Sequence, residues 1–393
     1  MAYNKTEHLR RNIEAIRTAF ALEREQRAAT PEERDVLRAY SGFGAIKEVL
    51  EPLPHKKETA LTPLIEELHA VLKENTGGER EYKRYLDGLK ASVLTAFYTP
   101  EPVTDAIMRM LYNAGVVPVR ALEPSAGTGA FAEYLRRYNE EAEITCFEKD
   151  PLTGLILHRL HPDDTVRVQG FETIEPAYEG HFDLITSNIP FGDVSLFDPV
   201  FSSSRDPVRR QGAWAIHNYF FMKSVDLVRD GGLVAFITSQ GMADAERNRP
   251  VREWLMERCD LVAAVRLPNN LFTDHAGTEV GSDLIVLQKN SAVRPLSERQ
   301  RDFIKTRTLS NGITVNNSFR SLDRVVQTSA KVGTNPYGKP AMEFTHAGGV
   351  EGIARALADM LAEDMERHFN RELYESHAPK TCLLYTSPSP RDS

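Results

Sequence analysis

Cysteine is scarce in this chain of 393 residues: Cys146, Cys259 and Cys382 lie far apart, with no C-x-x-C pair. That spacing suggests neither a disulfide framework nor a zinc site, and the thiols read as buried or incidental. His158 and His161 are neighbours in sequence but lack an accompanying Cys, His or Glu cluster, so no metal is expected. Long apolar runs are missing too. No stretch approaches the roughly 18 residues of a membrane span, and the start, MAYNKTEHLRRNIEAI, has no apolar signal-peptide core; a cytoplasmic location is expected. Positive charge is not in excess either. A net charge of -8 argues against coating nucleic acid indiscriminately, while leaving room for a local basic surface. What is present is 41% hydrophobic residues, ample for a sizeable core in a chain long enough for two or three domains.

Residues 1–90 read as a helical N-terminal region. Leu9, Ile13, Ile16 and Phe20 form one amphipathic stripe, which breaks at Ser41-Gly42-Phe43-Gly44 and at Pro52 and Pro54; "LIEELHAVLKEN" then resumes a helical pattern up to Gly77-Gly78. This part looks like a preface without a catalytic role. Over residues 91–290 the period changes to short apolar runs, "VVPVRAL", "ITCFE", "VRVQG", "FDLITSN", "GLVAFITS", "LVAAVRL" and "DLIVLQK", with helical stretches between most of them. Such alternation predicts an open parallel sheet with helices on both faces. Only about fifteen turn-rich residues separate the last two strands, too few for a typical crossover helix, so the final strand is expected to be antiparallel. Residues 291–381 form a C-terminal extension with one helix near 348–377, apolar at Ile353, Leu357, Met360 or Leu361, Met365 and Phe369. The end, 382–393, "CLLYTSPSPRDS", looks like translated adapter sequence and is set aside as a non-native tail.

"ALEPSAGTGAFAEYL" puts Gly127 and Gly129 after an apolar run and at the start of a helix, where glycine allows a tight turn and close approach to a ligand. About twenty residues on, "ITCFEKD" closes the next strand with Glu148, suited to accept from the two hydroxyls of a ribose. Taken literally, residues 127–132 also fit the dinucleotide pattern G-x-G-x-x-A. Glu123 just before the turn would repel a pyrophosphate but suits a cofactor carrying an ammonium and a sulfonium. S-adenosylmethionine is such a cofactor. A plain strand-to-helix turn without ligand is the bland alternative.

"DLITSNIPFGD", residues 183–193, ends an apolar strand in an asparagine, a proline and a phenylalanine. In a doubly wound sheet this end would lie beside Gly127. The Asn188 side-chain oxygen and the Ile189 carbonyl supply two acceptors for one NH2 group, Pro190 fixes the turn, and Phe191 can stack on a planar ring. Such a pair would draw a ring-delocalised lone pair back onto nitrogen for attack on a sulfonium methyl. Read separately, Asn188 is a turn cap and Phe191 a core residue on a returning loop.

Residues 91–290 resemble the amino-group (adenine) DNA methyltransferases with an [N/D/S]-P-P-[Y/F/W] motif, especially the methylase part of large methylase-helicase proteins of mobile elements and phages. The matching segments are "TAFYTP", "LEPSAGTG", "FEKD", "SNIPFG" and "VRLPNNLFTDHAGTEVGSDLIVLQK". The resemblance implies a Rossmann-like doubly wound sheet of about seven strands, the class I S-adenosylmethionine-dependent methyltransferase fold, behind the helical N-terminal extension. It implies that Thr99, Glu123, Gly127 and Gly129 contact the methionine part of the cofactor, Glu148 its ribose and Glu172 its adenine amine. Asn188, Ile189, Pro190 and Phe191 then form the catalytic motif, with Ile189 where the family usually has proline. The implied activity is methylation of the exocyclic amine of adenine in DNA, within restriction-modification. RNA or protein-glutamine methylation stays open, as does a catalytically weak DNA-binding or anti-restriction module. The implied partners are DNA and a helicase or target-recognition domain beyond the visible chain. "GTNPYGKP", residues 333–340, matches G-x-x-x-x-G-K but has Pro340 in place of the magnesium-binding hydroxyl and no apolar strand before it, so it reads as a loop. The segment after the catalytic motif is turn-rich, and Arg205, Arg209 and Arg210 on it are expected to grip phosphates as the target base leaves the stack.

Overall fold

The computed structural model describes residues 4–379 apart from 45, 54–56, 96–97, 192–193, 274–278, 335–337 and 339; the tail set aside above lies outside the described residues. Seven strands share one sheet: β1 (Arg120–Glu123), β2 (Glu143–Phe147), β3 (Thr165–Arg167), β4 (Phe182–Asn188), β5 (Val228–Ser239), β6 (Cys259–Leu267) and β7 (Ser282–Lys289), in the order β3-β2-β1-β4-β5-β7-β6. Strands β1 to β5 pair in parallel. The last strand inserts between β5 and β6 and runs antiparallel to both, as the short connection into it required. Strand order reverses between β1 and β4, so a crevice opens beyond their carboxyl ends.

The N-terminal region contributes α1 (Lys5–Glu25), α2 (Pro31–Arg38), α3 (Thr62–Glu74) and α4 (Glu79–Thr95). Helix α2 starts on a reciprocal cap, with Thr30 and Glu33 each accepting from the other's backbone N–H and Pro31 in the first turn, where its missing donor costs nothing. Then come α5 (Glu101–Asn113), α6 (Ala130–Tyr138) and α7 (Pro151–Leu160). Leu9, Ile13 and Ile16 of α1 and Leu68 and Leu72 of α3 share a core with Leu152, Ile156 and Leu160 of α7. The preface is therefore packed onto the sheet domain through α7.

Alternation along the strands sends neighbouring side chains to opposite faces and makes two further cores. Ala121, Leu184, Leu233 and Ala235 face α5 and α6. Leu122, Ile185, Val234 and Phe236 face the other side. Beyond β4 come two short helices, α8 (Pro199–Ser202) and α9 (Pro207–Gly212), then α10 (Ile216–Leu227), α11 (Gly241–Asp244) and α12 (Arg249–Arg258); Phe221 and Val225 of α10 and Val251 and Leu255 of α12 fill the second face.

The C-terminal stripe is also part of the sheet domain. On helix Gly349–His368, Ile353, Leu357, Leu361 and Met365 are buried with Ile107 and Leu111 of α5 and Val265 of β6; of Met360 and Leu361, the sequence alternatives, Leu361 is the fully buried one. Each such aliphatic side chain contributes roughly 1.5–3 kcal/mol on burial. Asn370 then caps helix Arg371–Ser376 and exchanges hydrogen bonds with Gln288 of β7. The "GTNPYGKP" segment joins two antiparallel strands, Ser329–Thr334 and Pro340–Thr345, not the strand-to-helix turn of a phosphate loop.

Candidate active site

Strand β1 ends at Glu123, and the chain turns through Pro124–Gly129 into α6. Gly127 has φ 56°, and a Cβ there would stand 2.8 Å from the Tyr98 ring. Gly129 has φ 87°, and its Cβ would stand 2.3 Å from His161 Nε2. Both glycines are thus required by left-handed backbone and close neighbours, but Gly129 is pressed against α7 and does not border the crevice. Glu148, at the end of β2, straps the turn in place: Oε2 accepts from Gly127 N–H (2.8 Å) and Oε1 from Asp150 N–H (2.8 Å). A carboxylate oxygen has more than one acceptor position, so both can still take a hydroxyl. Burial, reinforced by the Asp150 charge, pushes the Glu148 carboxyl up to about 7, against the pull of these N–H donors. Asp150 caps α7 by accepting from Thr153 N–H at 3.0 Å, and burial raises its pKa.

Glu123 is buried, and its Oε2 accepts from Ala132 N–H at 2.8 Å, tying β1 to the first turn of α6. Burial pushes this carboxyl far up, which weakens the electrostatic argument that its charge repels a pyrophosphate. Its position still borders the crevice.

At the carboxyl end of β4, Asn188 sits opposite Ile237 of β5. Ile189 donates its N–H to Ile237 O at 3.0 Å and buries its side chain among Phe182, Phe201 and Phe221. Proline could not make that hydrogen bond; here the bond and the packing hold the turn that a proline ring stiffens elsewhere. Phe191 is half-buried and meets Phe272 edge-on at 6.0 Å and 72°.

These parts line one cavity of about 530 Å³. Thr99, Glu123, Gly127, Glu148 and Glu172 border one half, and Asn188, Ile189, Pro190 and Phe191 the other. Glu172 sits in the turn Phe171–Thr173 with Lys149 Nζ 3.5 Å away. Sequence reasoning missed part of the wall. Arg84, Asp87, Gly88 and Ser92 of α4 line it, with Tyr98, Asp150 and Phe220, so the helical preface closes the cavity. Gly88 was the available signal: a glycine inside a helical pattern marks close approach, and a Cβ there would stand 2.2 Å from Asp150 Oδ1.

Of the three arginines, Arg209 has surroundings that differ from those expected of a phosphate contact. Arg209 makes a two-pronged pair with Asp226 (2.9 and 2.7 Å) and lies over the Phe201 ring at 4.4 Å, so it is held internally and is not available as a phosphate grip. Arg205 and Arg210 are exposed, Arg210 donating to Ser204 O at 2.5 Å. The segment that carries them is an ordered insert. Asp198 and Asp206 cap α8 and α9, and the buried Asp198 also accepts from Tyr219 Oη (2.7 Å) and Lys223 Nζ (3.2 Å).

The sequence matches the N-6 DNA methylase family over residues 87–335, more than half of the chain. The chain belongs to that family. Among curated proteins it is 27% identical over 209 residues to the Defense against restriction protein B of Escherichia phage P1, covering 52% of this chain and 9% of that protein. It is 25% identical over 239 residues to the Type II methyltransferase M.XamI of Xanthomonas campestris pv. amaranthicola, covering 58% of this chain and 44% of the relative. The chain therefore spans less than half the length of either. Solved structures with a similar arrangement include a chain of a type I R-M system (TM-score 0.41, 16% identical, 72% of this chain and 69% of that one) and the type IIG restriction endonuclease BpuSI (TM-score 0.41, 16% identical, 74% and 38%).

The fold is that of class I S-adenosylmethionine-dependent methyltransferases, and the N-6 methylase family implies that cofactor. The residues fit it. Thr99 Oγ1 and Asp150 Oδ1 are buried at the cavity and have no hydrogen-bond partner among the described residues, which a polar ligand would supply. Glu148 presents paired acceptors. Among the described residues no helix is long and apolar enough to cross a membrane.

Proposed function

We propose that this chain transfers the methyl group of S-adenosylmethionine to the exocyclic amine of adenine in DNA. The observation that carries the reading is that Asn188–Phe191 and the Gly127–Glu148 elements border the same cavity. Bound S-adenosylmethionine supplies an electrophilic methyl group on a sulfonium. The side-chain oxygen of Asn188 and the carbonyl of Ile189 accept the two N–H bonds of the target amine and localise its lone pair. Ring stacking on Phe191 holds the base flat. With the cofactor bound, the amine nitrogen would take the methyl group while the carbon–sulfur electron pair stayed on sulfur, and the Asn188 oxygen and the Ile189 carbonyl would hold the amine protons until one passed to solvent. Pre-set acceptors do most of this work, so no strong base is required. Adenine inside a duplex cannot reach both acceptors, so the base is rotated out of the helix first.

The test is incubation with methyl-labelled S-adenosylmethionine and separate pools of duplex DNA, RNA and protein. Label in DNA adenine is the expected result; label in RNA or protein alone makes the substrate class wrong. A second reading, an anti-restriction module with little or no catalysis, draws on the similarity to a protein named for defence against restriction and on Ile189 in the motif. It is the correct one if the chain binds the cofactor and DNA but turns over no methyl group.

A further inference from the structure

Large apolar side chains cluster on the surface of the insert after the catalytic motif: Phe197 is 75% and Trp214 67% exposed, with Val194 and Val200 beside them in sequence also exposed. Solvent exposure of two aromatic rings in one short segment is costly unless something covers them. Leu196 N–H donates to Ala213 O at 2.9 Å, which brings the two arms of the insert side by side. Leu196 and Ile216 line the cavity, and the exposed Phe197 and Trp214 follow and precede them by one and two residues. The rings thus belong to the same insert that lines the cavity beside Asn188–Phe191.

We infer that Phe197 and Trp214 form an aromatic step that stacks on the bases flanking the adenine taken from duplex DNA, an inference that rests on the substrate reading above. Rotating a base out leaves exposed base faces beside the gap, and an aromatic side chain is the neutral, flat group that covers them whatever their identity. The step is rigid. Buried Asp198 anchors the insert through Tyr219 and Lys223, and Arg209 is locked onto Asp226 beneath it, so the rings are presented in advance. Arg205 and Arg210, exposed on the same insert, add positive charge suited to the adjoining phosphates. A protein partner would also cover apolar rings, but it would not explain why exposed arginines and cavity-lining side chains share the insert with them.

The chain has two tryptophans, and Trp254 is only 5% exposed, so acrylamide quenching of tryptophan emission reads Trp214 almost alone. With S-adenosylhomocysteine and a mixed-sequence DNA duplex added to the full chain, Trp214 is expected to become protected from acrylamide. F197A/W214A is expected to weaken duplex binding roughly five- to a hundredfold, to leave S-adenosylhomocysteine affinity unchanged, and to be rescued by F197Y/W214F, which keeps flat rings. Methyl transfer measured in parallel separates the two readings. Wild type that labels DNA while Trp214 stays fully quenchable and the alanine variant binds as tightly overturns the stacking step and leaves the substrate reading intact. Wild type that labels only RNA or protein overturns both. Should the alanine variant not fold, wild-type quenching alone decides.

Discussion

The two halves of the cavity are built on opposite plans. Around Gly127 the wall is polar and held by backbone donors: Glu123 on Ala132, Glu148 on Gly127 and Asp150, and Asp150 on Thr153. Around Asn188 it is apolar, with Ile189 sunk in the second core and Leu196, Ile216 and Phe220 beside it. The polar half holds carboxyl groups whose pKa values burial raises, Glu123, Glu148 and Asp150. Among the described residues the apolar half sets the Asn188 side chain beside Ile189, Pro190, Phe191, Leu196, Ile216 and Phe220. Binding of the cofactor and activation of the amine are therefore expected to respond to different substitutions.

The largest separation is expected from Asn188→Ala. Removing one pre-set polar partner of a reacting group lowers turnover on the order of a hundred- to a thousandfold, while cofactor affinity measured by calorimetry stays nearly the same. Glu148→Ala acts in the other half. Losing ribose hydrogen bonds is expected to weaken cofactor binding by roughly 1–3 kcal/mol, or about ten- to a hundredfold; unchanged affinity in a titration removes Glu148 from the ribose.

A smaller effect follows from protonation. The folded pKa of Glu148, about 7, lies above its ordinary 4.5, so between these values the folded chain holds more protons than the unfolded one. Its contribution to stability is full below about 4.5 and is lost as pH rises toward 7. Ribose hydroxyls donate to the ionised form, so cofactor affinity is expected to climb as pH passes 7 and to level off above it. Glu148→Gln flattens this rise; an unchanged pH profile in that variant assigns the titration to another group.

The smallest effects belong to the insert. Arg205 and Arg210 replaced by alanine are expected to lower the salt slope of DNA binding by about one per lost phosphate contact. Arg209→Ala is expected to leave that slope unchanged and to lower the melting temperature, because it strands Asp226. A slope change with Arg209→Ala alone contradicts its internal role.

Much of this arrangement was legible in the sequence. The seven apolar runs are the seven strands, and the brief connection before "DLIVLQK" foretold the antiparallel β7. The glycine turn, Glu148 and Asn188 come to one cavity because a doubly wound sheet gathers its strand ends at one edge. Long-range packing was not legible. Periodicity shows that Leu357 and Leu361 want burial, but not that their partners are Ile107 and Leu111 in a helix far earlier in the chain. For the same reason the helical pattern of the preface does not show that α4 lies beside Asp150. The arginines differ only in local partners: Arg209 finds Asp226 across a turn of structure that the charge pattern does not show, while its neighbour Arg210 stays outside.

Duplex DNA treated with the chain and methyl-labelled S-adenosylmethionine, then hydrolysed and resolved into nucleosides, is expected to carry its label as N6-methyladenine, and Asn188→Ala is expected to remove that label while the cofactor still binds. Label in another nucleoside, or undiminished N6-methyladenine from Asn188→Ala, contradicts the role given to the end of β4.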